Sequence, residues 1–394
     1  MPNNQSRLPP THYDGLLKTD PELFASVKKD LQRGIDGPVS SVDELPNFIP
    51  YAEREMDLFM EDVADSLKNV LGYKPQGQEL NSLASQHINL YQVGQSFAFN
   101  YQCVFNFERF DRKTFYLTDA IVERLLVTDL DAPSEYLHLP FPSCMFVMNS
   151  ALAREALSGL FKAESERSDA PITIYAYETA YRGLRKMVFA VFQSKGGDVH
   201  SFAKRELLIH PDWRIEDSLK TDWDQLYDKY PDWEAGAGVD SIGDLLDEQA
   251  SESVFYTSGL SFFRLLVNAI LYLASNDPDV KAMASPRSDL EKMLDNASSR
   301  AKKKKLRNAI GKVSHLDGSV VGSALQPINV HKVDAVPSDA HGSTVTLTKR
   351  FLVRGHWRNQ AHGAGLKQRK LMYIQPHFKG PEVGEVRNKP YVVR

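Results

Sequence analysis

The chain has 394 residues, of which 42% are hydrophobic and 25% charged, a globular composition that excludes a largely disordered protein. Its two cysteines, Cys103 and Cys144, exclude a disulfide framework and a four-cysteine zinc site, and both lie among apolar neighbours, as expected of reduced cytoplasmic thiols. The N-terminal segment lacks the apolar stretch of a signal peptide, so we expect a cytoplasmic protein, and the length predicts two or three domains.

The net charge of −4 is divided unevenly along the chain. Residues 299–394 contain 19 Lys and Arg against 5 Asp and Glu, a balance of +14, which leaves −18 for residues 1–298. Such asymmetry predicts an anionic partner for the C-terminal part, with nucleic acid as the leading candidate. The alternative is that the acidic and basic parts of the chain bind each other.

The N-terminal part is predicted to be mainly helical. After a lead-in rich in Pro, Asp and Ser, a short helix is expected at residues 21–32. Apolar residues spaced three and four apart predict a helix from about residue 50 to 71, ended by Gly72. Residues 78–107 are interpreted as one further helix, and Thr118 as the N-cap of a helix at 119–128.

Apolar runs then predict strands at residues 144–148, 172–177, 184–192 and 206–210, with a helix at 150–162. The apolar run 259–274 is shorter than the ~20 residues of a membrane span and predicts a core helix, so no membrane partner is expected. The predicted fold class is α+β, with a helical N-terminal half, a small mixed sheet and a basic C-terminal β-hairpin module. The proposed domains are residues 1–75, a helical segment; 76–298, an acidic α+β body with a candidate peptide-binding surface; and 299–394, the basic module.

The basic module is predicted to begin with a polar helix at residues 288–301 that leads into a run of lysines. Residues 311–342 are interpreted as a loop. Strands are expected at 344–354 and 370–378, joined by a glycine-containing turn at 359–366. A short edge strand is expected at 391–393.

Common enzyme signatures are absent from the sequence: a phosphate-binding loop ending in Gly-Lys-Ser/Thr, a His-Glu-x-x-His helix, a Gly-x-Ser-x-Gly elbow and a Cys-x-x-Cys pair. The histidines of the basic module show no tight ligand spacing with a carboxylate. We therefore expect no metal, no cofactor and no small-molecule substrate, and a binding protein rather than an enzyme.

The segment from Val353 to Gly380 has a chemistry suited to RNA. Arginine and lysine pair with phosphates, the rings of Trp357 and Tyr373 offer stacking faces for bases, and glycines let a backbone approach closely. The residues predicted on these grounds to bind RNA or the ribosome are Arg354, Trp357, Arg358, Gln360, Gly363, Gly365, Arg369 and Lys370, with Lys302, Lys303, Lys304 and Lys305 of the lysine run. One alternative is a Trp-centred hairpin whose His and Arg side chains cap local carbonyls. Another is a metal-independent ribonuclease in which His356 and His377 act as paired acid and base.

Three tryptophans, Trp213, Trp223 and Trp233, recur at ten-residue spacing in the acidic stretch 211–252. The similarity between the three sites is too small for a structural repeat. Because aromatic residues dominate the binding energy of interfaces, these tryptophans are candidate anchors for a peptide partner. The alternative is aromatic packing beneath an irregular insertion.

Arg354-Gly355-His356-Trp357, followed by Gly363-x-Gly365 and Gln375-Pro376, resembles the C-terminal signature of the second class of anti-CRISPR proteins directed against type V-A systems. Two upstream patches match in the same order: Leu137-x-Leu139-Pro140 with Cys144, and Asp277-Pro278-Asp279-Val280. With a weaker likeness around 116–126, the resemblance covers roughly residues 115–394. Residues 1–75 and 211–252 have no clear counterpart.

The resemblance implies a protein of phages, plasmids and other mobile elements that acts in the bacterial cytoplasm. It would recognise a target polypeptide, nascent on the ribosome, and cause loss of the encoding mRNA, so its partners would be that polypeptide and mRNA or the ribosome. By the same resemblance, Gly355, His356, Gln375 and Pro376 join the residues predicted to bind RNA or the ribosome. The remaining alternatives are an RNA-binding protein of a mobile element without peptide recognition, and the ribonuclease.

Overall fold

The computed structural model describes residues 8–158, 171–195, 198–228, 248–326 and 351–379. Five helices precede the first strand: α1 (His12–Thr19), α2 (Pro21–Leu31), α3 (Phe48–Leu71), α4 (Gly77–His87) and α5 (Leu90–Arg109). The later helices within the described ranges are α6 (Asp119–Leu126), α7 (Ala151–Ser158), α8 (Ile215–Asp228), α9 (Glu248–Ala274), α10 (Arg287–Asp295) and α11 (Arg300–Ile310).

A seven-stranded mixed sheet forms the centre of the molecule. Its strands are β1 (Thr114–Leu117), β2 (Ser143–Met148), β3 (Ile172–Tyr181), β4 (Leu184–Lys195), β5 (Asp198–Ile209), β6 (Val280–Met283) and β7 (Gly318–Val321). They lie in the order β5-β4-β3-β2-β1-β7-β6. Strand β1 runs parallel to β2 and β7, and the other neighbours are antiparallel.

Two small antiparallel sheets follow near the C-terminus. Strand β8 (Phe351–Val353) pairs with β11 (His377–Lys379), and β9 (His356–His362) pairs with β10 (Gln368–Ile374). The β9–β10 pair is a basic C-terminal hairpin, but its first strand is β9 and not the strand predicted at residues 344–354. The predicted α+β class, with a helical N-terminal half, a mixed sheet and a C-terminal hairpin, is confirmed.

The central sheet is covered on both faces, because successive side chains of a strand point to opposite sides. On β2, Met145 and Val147 pack against the N-terminal helices in one hydrophobic core. Phe146 and Met148 pack on the other face, in a core shared with α6, α7, α8, α9 and the β9–β10 hairpin. The result is a layer of helices on each side of one sheet, which explains why β2 is buried along its whole length.

Local signals in the sequence account for several element boundaries. Helix α3 ends at Gly72, which has a φ of 79° in the left-handed region that glycine adopts without strain. The Thr118 side chain accepts a hydrogen bond from the Ile121 amide at the start of α6, as expected of an N-cap. The apolar run 259–274 is a buried helix, as predicted, and none of the described helices is long and apolar enough to cross a membrane.

Some predicted elements were wrong. Residues 78–107 form two helices rather than one, because Ile88 is extended and Asn89 caps a new helix by accepting a hydrogen bond from the Gln92 amide. In the same way Ser299 caps α11 and divides the predicted helix at 288–301. The predicted turn at 359–366 begins later, at Gly363, because β9 continues to His362.

Strand β9 was not predicted, since the expected strand ended at residue 354 and a turn was expected from 359. Three further strands, β1, β6 and β7, were not predicted either. Each has only four residues, too few for a clear alternation of apolar and polar positions. Strand β7 lies within residues 311–342, which were interpreted as a loop. Residues 327–350, and with them most of the strand expected at 344–354, lie outside the described residues, as does the edge strand expected at 391–393.

The central sheet takes one strand from beyond the proposed boundary at residue 299, since β7 lies between β1 and β6. On the N-terminal side, Phe48 and Tyr51 of α3 share a core with Tyr101 and Phe105 of α5. The chain on either side of each proposed boundary therefore contributes to a common core.

Candidate functional site

The β9–β10 hairpin has an inner face that packs on the body and an outer face that does not. Trp357 lies directly opposite Tyr373, and Asn359 lies opposite Leu371, so these four side chains share the inner face. The alternate positions make up the outer face: His356, Arg358 and Gln360 on β9 and Lys370, Met372 and Ile374 on β10.

Trp357 anchors the inner face. Its side chain is 5% exposed, and its Nε1–H donates a hydrogen bond to Oδ1 of the fully buried Asn268 at 2.8 Å. The Asn268 amide in turn donates to the carbonyls of Leu125 (3.2 Å) and Thr128 (3.1 Å) at the end of α6. Asn268, a polar residue in the otherwise apolar last part of α9 (265–274), thus joins the hairpin to two helices through satisfied buried hydrogen bonds.

Tyr373 extends this anchor. Its ring lies 5.0 Å from that of Trp357 and meets Tyr272 of α9 edge-on at 5.4 Å. The Tyr373 hydroxyl is 3.2 Å from Oγ1 of Thr128. Burial raises the pKa of Tyr373 to about 12. Two aromatic rings and one asparagine therefore hold the hairpin against α6 and α9.

Gly355 lies where the chain passes closest to the body. Its amide donates to the Val127 carbonyl at 3.1 Å, and its carbonyl accepts from the Asp129 amide at 2.8 Å. A Cβ atom on Gly355 would lie 2.4 Å from Oγ1 of Thr128 and 3.0 Å from Cδ of Pro376, closer than any real Cβ contact in the first case. Glycine is therefore required by close approach, and Pro376 forms part of the same tight packing.

The other motif residues have mainly local structural roles. Arg354 forms an ion pair with Asp129, with 2.6 Å between Nε and Oδ1, at a partly exposed position. Gly363 and Gly365 have φ values of 76° and 66°, which allow the hairpin turn. The turn presents Leu366, which is 63% exposed.

The residues predicted to bind RNA or the ribosome therefore separate into two groups. Gly355, Trp357 and Pro376 are buried. The Trp357 ring, which was proposed to stack on RNA, packs against Tyr373 instead. For Trp357 the structure agrees with the alternative of a Trp-centred hairpin. The accessible members are His356, Arg358, Gly363, Gly365, Arg369 and Gln375, which are exposed, and Arg354, Gln360 and Lys370, which are half-buried.

The two histidines of the ribonuclease alternative lie on separate ladders. His356 is opposite Ile374 on the β9–β10 pair, whereas His377 is opposite Val353 on the β8–β11 pair. Both side chains are exposed, and the His377 Nδ1 atom is 3.2 Å from the Gln375 carbonyl oxygen. Across the ranges that the structure describes, no hydrogen bond joins the two rings.

The lysine run lies on α11, away in sequence from the hairpin and inserted between β6 and β7. Lys302, Lys304 and Lys305 are exposed and Lys303 is half-buried. The run is therefore carried by a different element from the basic side chains of the hairpin.

Of the three tryptophans, Trp213 can be placed. It is 38% exposed and stacks on His210 with 4.0 Å between ring centroids. The Trp223 side chain and the whole of Trp233 lie outside the described residues.

The loop 129–136 joins the Trp213 segment to the hairpin. On one side the Ser134 amide donates to the Trp213 carbonyl at 3.0 Å. On the other side the Tyr136 hydroxyl donates to Oδ1 of Asn359 at 3.3 Å. The candidate peptide anchor and the inner face of the hairpin are thus connected through a short loop.

The two upstream motif patches also hold loops in place. The Leu139 amide donates to Oε1 of Glu178 at 2.6 Å, and Arg185 donates to the Leu137 carbonyl at 2.9 Å. The Asp279 carboxylate accepts from the Ala324 amide at 2.6 Å. The Leu137 and Leu139 side chains are buried in the core below the sheet, so their apolar character and the Asp279 carboxylate have structural roles without a ligand.

Sequence reasoning missed Thr128 and Asn268, and it interpreted Tyr373 as a stacking face for RNA rather than as part of the hairpin anchor. The one available signal was Asn268, since a polar residue on the buried side of an apolar helix needs a hydrogen-bonding partner. Its partners, from residues 125, 128 and 357, are identified only by the fold. In the described part of the chain, no three His, Cys, Asp or Glu side chains come together as a metal-binding group.

Comparison with known proteins places this arrangement in a family. No curated protein matches the chain. A crystal structure of AcrVA2 shares 12% sequence identity with it and covers 94% of this chain and 100% of the other, with a TM-score of 0.37. The model of the AcrVA2-like family, described as the anti-CRISPR type V subtype A2 family, matches residues 115–378, a span from β1 to the end of the hairpin module. Because this span covers well over half of the sequence, the chain belongs to the AcrVA2-like anti-CRISPR family.

Proposed function

We propose that this anti-CRISPR protein silences its target during translation in the bacterial cytoplasm. It recognises a segment of a nascent target polypeptide and lowers the level of the mRNA that encodes it. The outer face of the β9–β10 hairpin contacts mRNA or ribosomal RNA, and the Trp213 side of the body contacts the polypeptide. Membership of the AcrVA2-like family supports the general role.

The division between the two faces of the hairpin is the observation that carries this proposal. Trp357 and Tyr373 of the inner face pack against the body. On the outer face, Arg358 and His356 are exposed and Lys370 is half-buried. Packing holds these side chains in one orientation, which reduces the entropy lost when a phosphate backbone binds. Arginine and lysine pair strongly with phosphate oxygens.

The proposed polypeptide surface is supported by a single exposed aromatic stack. Trp213 on His210 presents a large apolar side chain at the surface. Loop 129–136 connects this stack to the hairpin through Ser134 and Tyr136. The connection offers a physical route by which occupancy of one surface changes the other.

The test is co-expression with a type V-A effector gene, with effector mRNA measured by quantitative reverse transcription. We expect depletion of that mRNA only when the target segment is translated. A stop codon placed before the segment should restore the mRNA, and depletion that persists with this stop codon would refute the translation-coupled mechanism.

A matched pair of charge reversals assigns the hairpin surface. Arg358→Glu should abolish depletion while the purified variant still captures the target polypeptide. Lys29→Glu, a charge reversal at an exposed position of α2 on the other side of the sheet, should leave both activities unchanged.

The ribonuclease alternative is tested with labelled RNA and the variant His356→Ala. If the wild-type protein cleaves the RNA and the variant does not, the hairpin is a catalytic site rather than a binding surface.

A further inference from the structure

Strand β6 is the last strand of the seven-stranded sheet, and its ladder bonds can be assigned. The Gly322 amide donates to the Asp279 carbonyl at 2.8 Å, which makes these two residues a hydrogen-bonded pair of the antiparallel ladder. Because such pairs alternate, the ladder bonds within β6 belong to Lys281 and Met283.

The main-chain groups of the residues between these pairs therefore point outward, away from the sheet. The N–H and C=O groups of Val280 and Ala282 point away from β7, and no other described residue pairs with them. Val280 is 38% exposed, and Lys281 and Ala282 are exposed as well. An open edge of this kind is a template for an added extended polypeptide strand.

A cationic lobe formed by α10 and α11 adjoins this edge. It is an insertion between β6 and β7 whose two ends meet, since the Ser285 hydroxyl donates to the Ser314 carbonyl at 2.5 Å. Residues 287–312 contain nine Lys and Arg against three Asp and Glu, a balance of +6. Two of those acids, Asp289 and Glu291, are paired with Lys292 and Arg287 within the lobe.

Most of the lobe's positive charge is uncompensated. Within the described ranges, Lys302, Lys303, Lys304, Lys305 and Arg307 form no ion pair. Three carboxylates lie close to β6 in sequence or register, those of Asp277, Asp279 and Asp317, and the hydrogen bonds that Asp279 and Asp317 accept from backbone amides leave their charge in place. Residues 277–317, which include all three, still contain ten Lys and Arg against six Asp and Glu, a balance of +4. The electrostatic environment of the edge therefore favours an acidic partner.

We propose that β6 binds an acidic segment of the target polypeptide as an added β-strand. This inference rests on the proposed function and adds a second contact for the same polypeptide, at the opposite end of the sheet from β5 and the Trp213 segment, with its own recognition mode and chemistry. Main-chain hydrogen bonds to Val280 and Ala282 hold the segment, and Lys281 with the α10–α11 lobe selects its charge. A second copy of the chain is disfavoured at this edge, because β6-to-β6 pairing would bring two Lys281 side chains and two +6 lobes together.

The test begins with an array of short overlapping peptides that covers a type V-A effector nuclease, probed with the full-length protein. The strongest binder is then synthesised with a fluorescent label for affinity measurements. We expect acidic peptides to bind and their affinity to fall with salt. In the peptide, N-methylation at successive positions should weaken binding with a period of two residues, as an added strand requires.

Two variants of β6 and one matched control test the same site. Ala282→Pro removes an outward N–H that is not part of the ladder, at an edge position where proline is tolerated, and should weaken binding about tenfold. Ala282→Val retains the N–H and should bind like the wild type. Lys281→Glu should weaken acidic peptides several-fold, and with the N-methylated peptides it carries the test if Ala282→Pro does not fold.

The possible failures are distinguishable. A peptide that binds but ignores Ala282→Pro, Lys281→Glu and N-methylation overturns the edge site and leaves the proposed function intact. Self-association of the wild type that Ala282→Pro abolishes assigns the edge to a second copy instead. An array without any binder removes polypeptide recognition, and therefore both proposals.

Discussion

The inner and outer faces of the β9–β10 hairpin alternate along the same two strands but have opposite surroundings. Trp357 and Tyr373 of the inner face are held by α6 and α9, whereas Arg358 and His356 of the outer face have no such packing. The same four-residue motif, Arg354-Gly355-His356-Trp357, thus contains both a structural anchor and an accessible side chain. Substitutions on the inner face should change stability, and those on the outer face should change binding.

Trp357→Ala should have the largest effect. Removing a buried tryptophan costs about 3–5 kcal/mol of unfolding free energy, and the unpaired Asn268 amide oxygen adds to the loss. Thermal and chemical unfolding measure this cost, and Trp357→Phe should lose less because it keeps most of the ring volume. Unchanged unfolding with weaker RNA binding would instead place Trp357 at the RNA surface and break the division between the faces.

Gly355→Ala should come next, at a cost of about 1–3 kcal/mol, because its Cβ would collide with Oγ1 of Thr128 at 2.4 Å. Thr128→Ala removes the colliding atom, so the double variant should be more stable than the sum of the two single changes predicts. A double-mutant cycle by chemical unfolding measures this coupling. Strict additivity would mean that the hairpin does not approach Thr128.

The contribution of the inner face to the stability of the fold should also decrease at alkaline pH. Burial raises the pKa of Tyr373 to about 12 from an ordinary value of 10.0, so the folded protein favours the protonated hydroxyl. Its contribution to stability is fully present below pH 10 and is lost as the pH rises towards 12. Other buried tyrosines titrate too, so the informative quantity is the unfolding free energy of the wild type minus that of Tyr373→Phe. This difference should decrease as the pH rises through this range. A difference that stays constant would show that Tyr373 is not buried in the hairpin anchor.

Arg358→Ala should have the smallest effect on stability, within about 0.5 kcal/mol, since its side chain is exposed. If the outer face binds a phosphate backbone, the variant should lose about one phosphate contact. The slope of the logarithm of RNA affinity against the logarithm of salt concentration should then become smaller by about one. Filter binding at several salt concentrations measures that slope. Loss of stability without a change in slope would reverse the assignment of the outer face.

Much of the architecture was predictable because its signals are local. The apolar spacing of residues 259–274, the cap at Thr118 and the stop at Gly72 act within one or two helical turns. A basic C-terminal hairpin was predicted from alternation and glycine content, but its first strand was expected at residues 344–354 rather than at β9. The four-residue strands β1, β6 and β7 were not predictable, because they are defined by neighbours distant in the sequence.

The candidate site was only partly predictable for the same reason. Arg354-Gly355-His356-Trp357 was identified as a unit, and its basic chemistry as suited to an anion. The sequence alone determined the fold class, the uneven charge and the family motif, because composition and spacing carry that information directly. Only the tertiary structure decided that Trp357 faces Asn268 while Arg358 faces outward, and that β6 is an edge. Those facts depend on which distant segments meet, and burial and pairing arise only when they do.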